Sequence, residues 1–162
     1  MEITGEQVVH APRDSVYAAL HDPAVLQRAI PGCQRFTQIE PTRYEAEIAL
    51  KIGPIASTFV SAVSIFNVDP PMGYSLRCRA NGGGTVGGAD GTAHVALAVI
   101  DAHTTNLAYH LSATPHGRVA EVSKEMLLKK ARTLVAEFIS RLDMNLEGAH
   151  ARAKARHDAI AS

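Results

Sequence analysis

Apolar side chains change their spacing several times along the chain, and each change predicts an element. Residues 3–10 alternate loosely and stop at Ala11-Pro12, after which residues 13–20 carry apolar side chains at helical spacing, so a strand leads into a short helix. Pro12 suits a first helical turn, where its missing N–H has no partner to lose, and Asp14 sets negative charge against the positive helix end. Asp22 is a good cap for a second short helix over residues 24–30, with Pro23 in its first turn and Pro31-Gly32 as its stop.

The period then becomes two. In residues 44–52 the apolar side chains Tyr44, Ala46, Ile48, Leu50 and Ile52 alternate with Glu45, Glu47 and Lys51, so one face of a strand is buried. Gly53-Pro54 breaks the run and residues 55–66 resume it, with Ile55, Phe59, Val63 and Ile65 on one side, which predicts a hairpin. The other side, Ala56, Thr58, Val60, Ala62 and Ser64, is uncharged, as on a twisted outer sheet face or a covered interface. After the turn at Asp69-Pro70-Pro71, Met72, Tyr74, Leu76, Cys78 and Ala80 face inward while Ser75, Arg77 and Arg79 face outward. Residues 81–91 hold six glycines, so a mobile loop or a bulged strand crossing follows. Residues 92–100 and 104–113 form another pair, with Val95, Leu97 and Val99 matched to Leu107, Tyr109 and Leu111. A three-residue turn at Asp101-Ala102-His103 sets His94 opposite His110.

From residue 116 to 146 the helical period returns. Val119, Val122, Met126, Leu127, Leu134, Val135, Phe138, Leu142 and Leu146 form the stripe of an amphipathic helix. Residues 147–162 read as an Ala-rich, mildly basic tail, either a frayed helical extension or disordered. The order of strand, two short helices, about six to seven antiparallel strands and a long helix is α+β: a curved sheet gripping a helix, with a cavity between. One domain over residues 1–146 accounts for the whole pattern.

Composition adds exclusions. Lys plus Arg equals Asp plus Glu at 16 each, which gives no electrostatic footprint for nucleic acid. The 9 basic and 6 acidic residues of 116–162 make that end mildly positive. Two cysteines and no cationic, apolar leader after Met1 imply a reduced, cytoplasmic protein with free thiols. No apolar run is long enough to cross a bilayer, so any membrane relation is peripheral.

The punctuation resembles a known family. Ala11-Pro12-Arg13 before the first helix, Asp22-Pro23, Ile30-Pro31-Gly32-Cys33, Lys51-Ile52-Gly53-Pro54 and Asp69-Pro70-Pro71, in that order, are similar to the CoxG family of the START-like, helix-grip (SRPBCC) superfamily, named for the G subunit of carbon monoxide dehydrogenase. That resemblance covers residues 1 to about 145. It implies a non-enzymatic accessory protein whose partners are molybdenum hydroxylase subunits, helping the enzyme meet the membrane and its quinone pool.

The inward pattern nominates a cavity lined by Ile48, Leu50, Phe59, Val63, Tyr74, Leu76, Val95, Leu97, Leu107, Tyr109, Leu111, Val122 and Met126, many of which would also fill the core. Pro31, Gly32, Cys33, Gly83, Gly84, Gly87 and Gly88 are its expected rim, with the glycine loop either a gate or a bulge that lets a strand curve. Such a lining suits a quinone or another apolar ligand and suits acid–base chemistry poorly. Cys33 is expected at the end of a helix, whose dipole raises its thiol pKa, and Cys78 is expected as a core residue. Eight histidines show no His-x-His or His-Glu-x-x-His spacing, so no metal, no covalent cofactor and no catalytic residue is assigned; His103, His150 and His157 read as solvated. Two alternatives stay open: a START-like cyclase, hydrolase or isomerase using Tyr74 or Tyr109, and an adaptor with a collapsed cavity.

Overall fold

A computed structural model describes the backbone of residues 1–161, with side chains for all of these except 149–154, 157, 158, 160 and 161. The elements run β1 (Glu2–Val9), α1 (Arg13–Ala19), α2 (Pro23–Ala29), β2 (Cys33–Glu40), β3 (Arg43–Ile52), β4 (Ile55–Asp69), β5 (Gly73–Asn81), β6 (Gly88–Asp101), β7 (Thr104–His116), a 3-10 turn (Gly117–Glu121) and α3 (Lys124–Ala161). One antiparallel sheet of seven strands has the order β1-β7-β6-β5-β4-β3-β2. This is the expected helix-grip architecture. Only the β1-to-β2 connection jumps, from one sheet edge to the other, and α1 and α2 make it.

Local chemistry explains the boundaries. The Asp22 carboxylate accepts from the Ala24 N–H at 3.0 Å, the expected cap of α2. Gly32, at φ +77°, turns the chain into β2 so tightly that a Cβ there would sit 2.1 Å from the Ala49 carbonyl oxygen. Only glycine fits that position.

Several expectations need correction. Residues 33–40 form a seventh strand that alternation did not reveal, because irregularities between Cys33 and Arg35 and between Gln38 and Glu40 break its period. Cys33 therefore opens a strand rather than ending a helix. The long helix starts at Lys124 and not at residue 116, because β7 runs on to His116 and Gly117, at φ +65°, packs against Gly87. The Ser123 hydroxyl caps the true start by accepting from the Met126 N–H at 3.2 Å. Helix α3 continues unbroken past Leu146, so the extension is helical; the side chains of His150, Arg152, Lys154 and His157 lie outside those described.

His94 pairs with His110 as expected, but through a two-residue Ala102-His103 turn with an irregularity at Ile100 that restores the parity. Val99 and Met72, expected inward, lie beyond the covered part of the sheet and are exposed. So are Ala56, Thr58, Val60, Ala62 and Ser64 on the outer face of β4.

The grip is made by the α3 stripe of Leu127, Leu134, Val135, Phe138, Ile139, Leu142 and Leu146, in which Ile139 joins the expected set. Met126 leaves it and is 49% exposed. Leu142 has no exposed surface, so Leu142→Ala should cost about 2–5 kcal/mol. Met144→Ala, two residues on and 69% exposed, should stay within about 0.5 kcal/mol. Urea unfolding of both variants checks the contrast, and equal losses would mean that the helix presents a different face.

Candidate functional site

Sheet and helix do not fill the space between them. A cavity of about 330 Å³ lies there, partly open to solvent. Its floor is the inner face of β3 to β7, which contributes Ile48, Leu50, Val63, Leu76, Val95, Leu107 and Leu111 among the expected residues. Its roof is Leu134, Val135, Phe138 and Ile139 of α3, and its side is Leu20, Leu26, Ile30 and Pro31 from the two short helices, with Phe36 of β2. Tyr74 and Tyr109 also line it, as expected.

Four expected lining residues lie elsewhere, because a packed cluster plugs each end. Phe59 and Val122 belong to one cluster with Ile55, Val119 and Leu127, whereas Met126 lies outside over Gly53. Leu97 belongs to the other, where it packs with Val9, Val16, Ala19 and Leu142. The rim is also mostly elsewhere: of its seven expected residues only Pro31 touches the cavity. Gly32 is pressed on β3, and Gly87 and Gly88 are strand-crossing points where a Cβ would come within 2.2 Å of His116 O and 1.9 Å of Ala80 O. Gly83 and Gly84 form an open tip with no atom within 4 Å of a Cβ. The loop around them is tied down by Gly82 N–H to Gly87 O at 2.7 Å and Val119 N–H to Val86 O at 3.1 Å, so it supports the first plug instead of bordering the cavity.

Polar groups in the lining are few: the hydroxyls of Tyr44, Tyr74, Tyr109 and Ser61 and the Cys78 thiol. No Asp, Glu, His, Lys or Arg is among the described lining residues. Burial pushes the Cys78 thiol up, which makes it a poor nucleophile. Burial likewise raises the Cys33 thiol, a cause different from the helix dipole expected, and its S–H donates to the Arg35 carbonyl at 3.3 Å. The two thiols are free.

Tyr109 owes its position to a missing side chain. Gly5 stands opposite it on β1, and a Cβ at Gly5 would lie 2.4 Å from the phenol oxygen. Behind Tyr74 is an aromatic stack that spacing alone could have suggested, since Tyr17 and His21 are one helical step apart. Their rings are 4.3 Å apart, and His21 meets Tyr74 edge-on at 4.6 Å. The His21 Nδ1–H donates to the Tyr17 carbonyl at 2.7 Å, so Nε2 carries the lone pair. The His21 Nε2 and the Tyr17 hydroxyl are buried with no hydrogen-bond partner among the described residues. Tyr44 O–H donates to the His21 carbonyl at 3.4 Å.

The family model for CoxG, the G subunit of carbon monoxide dehydrogenase, matches residues 5–147, nearly the whole sheet and the gripping part of α3. The chain belongs to the CoxG family. Among solved structures, this CoxG-family fold is similar to a conserved protein from Geobacillus kaustophilus at 23% identity, with a TM-score of 0.86 over 92% of this chain and 97% of that one. It is similar to a START superfamily protein from Mycobacterium smegmatis at 11% identity and TM-score 0.71, covering 91% and 98% of the two chains. The Zhui aromatase/cyclase from Streptomyces sp. R1128 matches at 16% identity and TM-score 0.66, covering 91% and 93%. These likenesses establish the START-like fold. No curated protein sequence matches the chain.

Gly5→Val should drive the Tyr109 ring toward the cavity and cost about 1–3 kcal/mol as overpacking; a crystal structure of the variant with Tyr109 unmoved and stability unchanged would refute it. Burial raises the phenols of Tyr17, Tyr44 and Tyr74 above the ordinary value of 10.0 in the folded chain. The unfolded chain then releases those protons first, so this contribution is complete below about pH 10 and is lost as pH rises past it. Tm measured from pH 8 to 11 should fall above about pH 10, less so in Tyr74→Phe, and no fall there in the parent would sink the assignment.

Proposed function

We propose that this chain is a non-catalytic accessory protein of a carbon monoxide dehydrogenase-type molybdenum hydroxylase. In this reading it holds an apolar ligand, a quinone, between sheet and helix and helps the enzyme meet the membrane. The observation that carries it is the cavity: about 330 Å³, walled by aliphatic and aromatic side chains, at the small end of ordinary ligand pockets of roughly 300–1,000 Å³. That space takes a ring and part of an apolar chain. In this reading the Tyr74 hydroxyl is the donor for a ring carbonyl, while aliphatic surface takes the rest.

Family membership supports the hydroxylase as partner, since the family carries the name of one of that enzyme's subunits. Among the described residues no helix is long and apolar enough to cross a membrane, so the reading makes the membrane contact peripheral or routes it through the enzyme. Among the described residues the lining holds no Asp, Glu, His, Lys or Arg for general acid–base chemistry, which supports holding over turnover. One observation favours a second reading: the aromatase/cyclase shares the fold, and Tyr74 and Tyr109 both face the cavity.

The test is denaturing solvent extraction of the chain purified from its native host, with mass spectrometry of the extract. A quinone at near-equal ratio is expected. In Ala93→Trp, which fills the cavity from β6, the bound quinone should drop at least about tenfold while the circular dichroism spectrum stays folded. An empty parent protein that also fails to co-purify with hydroxylase subunits would overturn the reading. Turnover of an aromatic substrate that is lost in Tyr74→Phe would replace it with the enzymatic one.

A further inference from the structure

Outside the cavity, three side chains far apart in sequence converge where β1 ends. His10 is the first residue after β1, and Asp143 and Glu147 stand one helical step apart on the same face of α3. The His10 Nδ1 lies 2.9 Å from Asp143 Oδ2 and 3.4 Å from Glu147 Oε1, and the three nearest donor atoms are within 4.8 Å of one another. We propose that His10, Asp143 and Glu147 form a binding site for a divalent transition-metal ion of the zinc type, which pins the first strand to the gripping helix.

The separations are those an ion needs. Ligand atoms at about 2.0–2.1 Å from a tetrahedral zinc are about 3.3 Å apart, close to the two distances observed. The Asp143 carboxylate is already fixed for the role: its Oδ1 accepts from the His10 backbone N–H at 2.7 Å, which leaves Oδ2 turned toward the imidazole. A backbone bond that orients a carboxylate in this way is the usual support of a metal ligand. Asp143 is mostly buried at 16% exposure, while His10 and Glu147 are 57% and 54% exposed, so water can complete the coordination shell.

Charge argues the same way. Two carboxylates face one imidazole, and among the described residues neither carboxylate has a lysine or arginine in ion-pair contact. A dication balances that set better than the single proton now shared through Nδ1–H. One nitrogen with two carboxylate oxygens selects zinc-like ions over magnesium, which prefers an all-oxygen octahedron. Sequence spacing gave no warning of the site, because His10 and Asp143 are 133 residues apart. A second histidine pair is poorer: His94 and His110 have ring centroids 6.5 Å apart, His94 Nδ1 is engaged by the Ser75 hydroxyl, and among the described residues Glu2 is the one carboxylate in contact, at 3.5 Å from His110 Nε2.

Zinc titration of the chelator-stripped full chain by calorimetry tests the assignment, with Co²⁺ as a second probe through its visible spectrum. One equivalent should bind. His10→Ala keeps the backbone N–H that holds Asp143, so it should remain folded and bind zinc at least about tenfold more weakly, as should Glu147→Gln. His110→Ala should bind as the parent does, and Mg²⁺ should not displace the zinc. Saturating zinc should raise Tm by a few degrees in the parent and not in His10→Ala. Absence of one-equivalent binding, undiminished affinity in His10→Ala, or loss of the site in His110→Ala would each overturn the proposal. None of these readouts depends on what occupies the cavity.

Discussion

Everything in this molecule depends on one packing constraint: a single helix must cover the concave face of a seven-strand sheet. Helix α3 has 38 residues, about 57 Å at 1.5 Å per residue, but it touches the sheet only along one stripe. A stripe is narrower than a curved sheet. The flanks must be covered by other parts of the chain, and they are: α1 and α2 close one side, with Arg28 Nε–H donating to Asn145 Oδ1 at 3.1 Å across to α3. The 3-10 turn and the glycine loop close one end. What remains uncovered in the middle is the cavity.

A gap with that lining is costly as a mere packing fault, since removing buried methyl groups from a core typically destabilises by kilocalories. Here the surrounding residues are large and apolar, and still they leave space. Ala46 and Ala93 floor it where a larger side chain would fill it, and both are buried. The fold is held at its two ends, by Leu142, Val16 and Val9 at one and by Phe59, Ile55 and Val119 at the other. Full packing is thus reached at the two ends, and the middle keeps its space.

Most of this was legible in the alternation of strands. Tyr44 to Ile52 and Leu107 to Leu111 face inward because period two leaves no other choice once one face is apolar, and the same parity placed His94 against His110. Legibility failed where the backbone departs from period. Strand β2 carries two irregularities, so Phe36 faces in and Ile39 faces out without a pattern to announce it. Residues 117–123 keep apolar residues at helical spacing yet form a 3-10 turn and a link, because Gly117 against Gly87 enforces a crossing that no local propensity encodes. The cavity's limits were invisible for a related reason: whether Phe59 lines a space or plugs its end depends on Val119 and Leu127, which reach it from distant parts of the chain.

Helix α3 also joins the cavity to the end of β1. Phe138 and Ile139 roof the cavity, Leu142 anchors the helix in the core, and Asp143 follows at once with its carboxylate on the His10 backbone. Within six residues the helix touches cavity, core and the end of β1. The helix is continuous through this stretch, so the three contacts are held at fixed spacing along one element. The cavity and the His10 cluster lie in different parts of the molecule, but one helix contributes side chains to both.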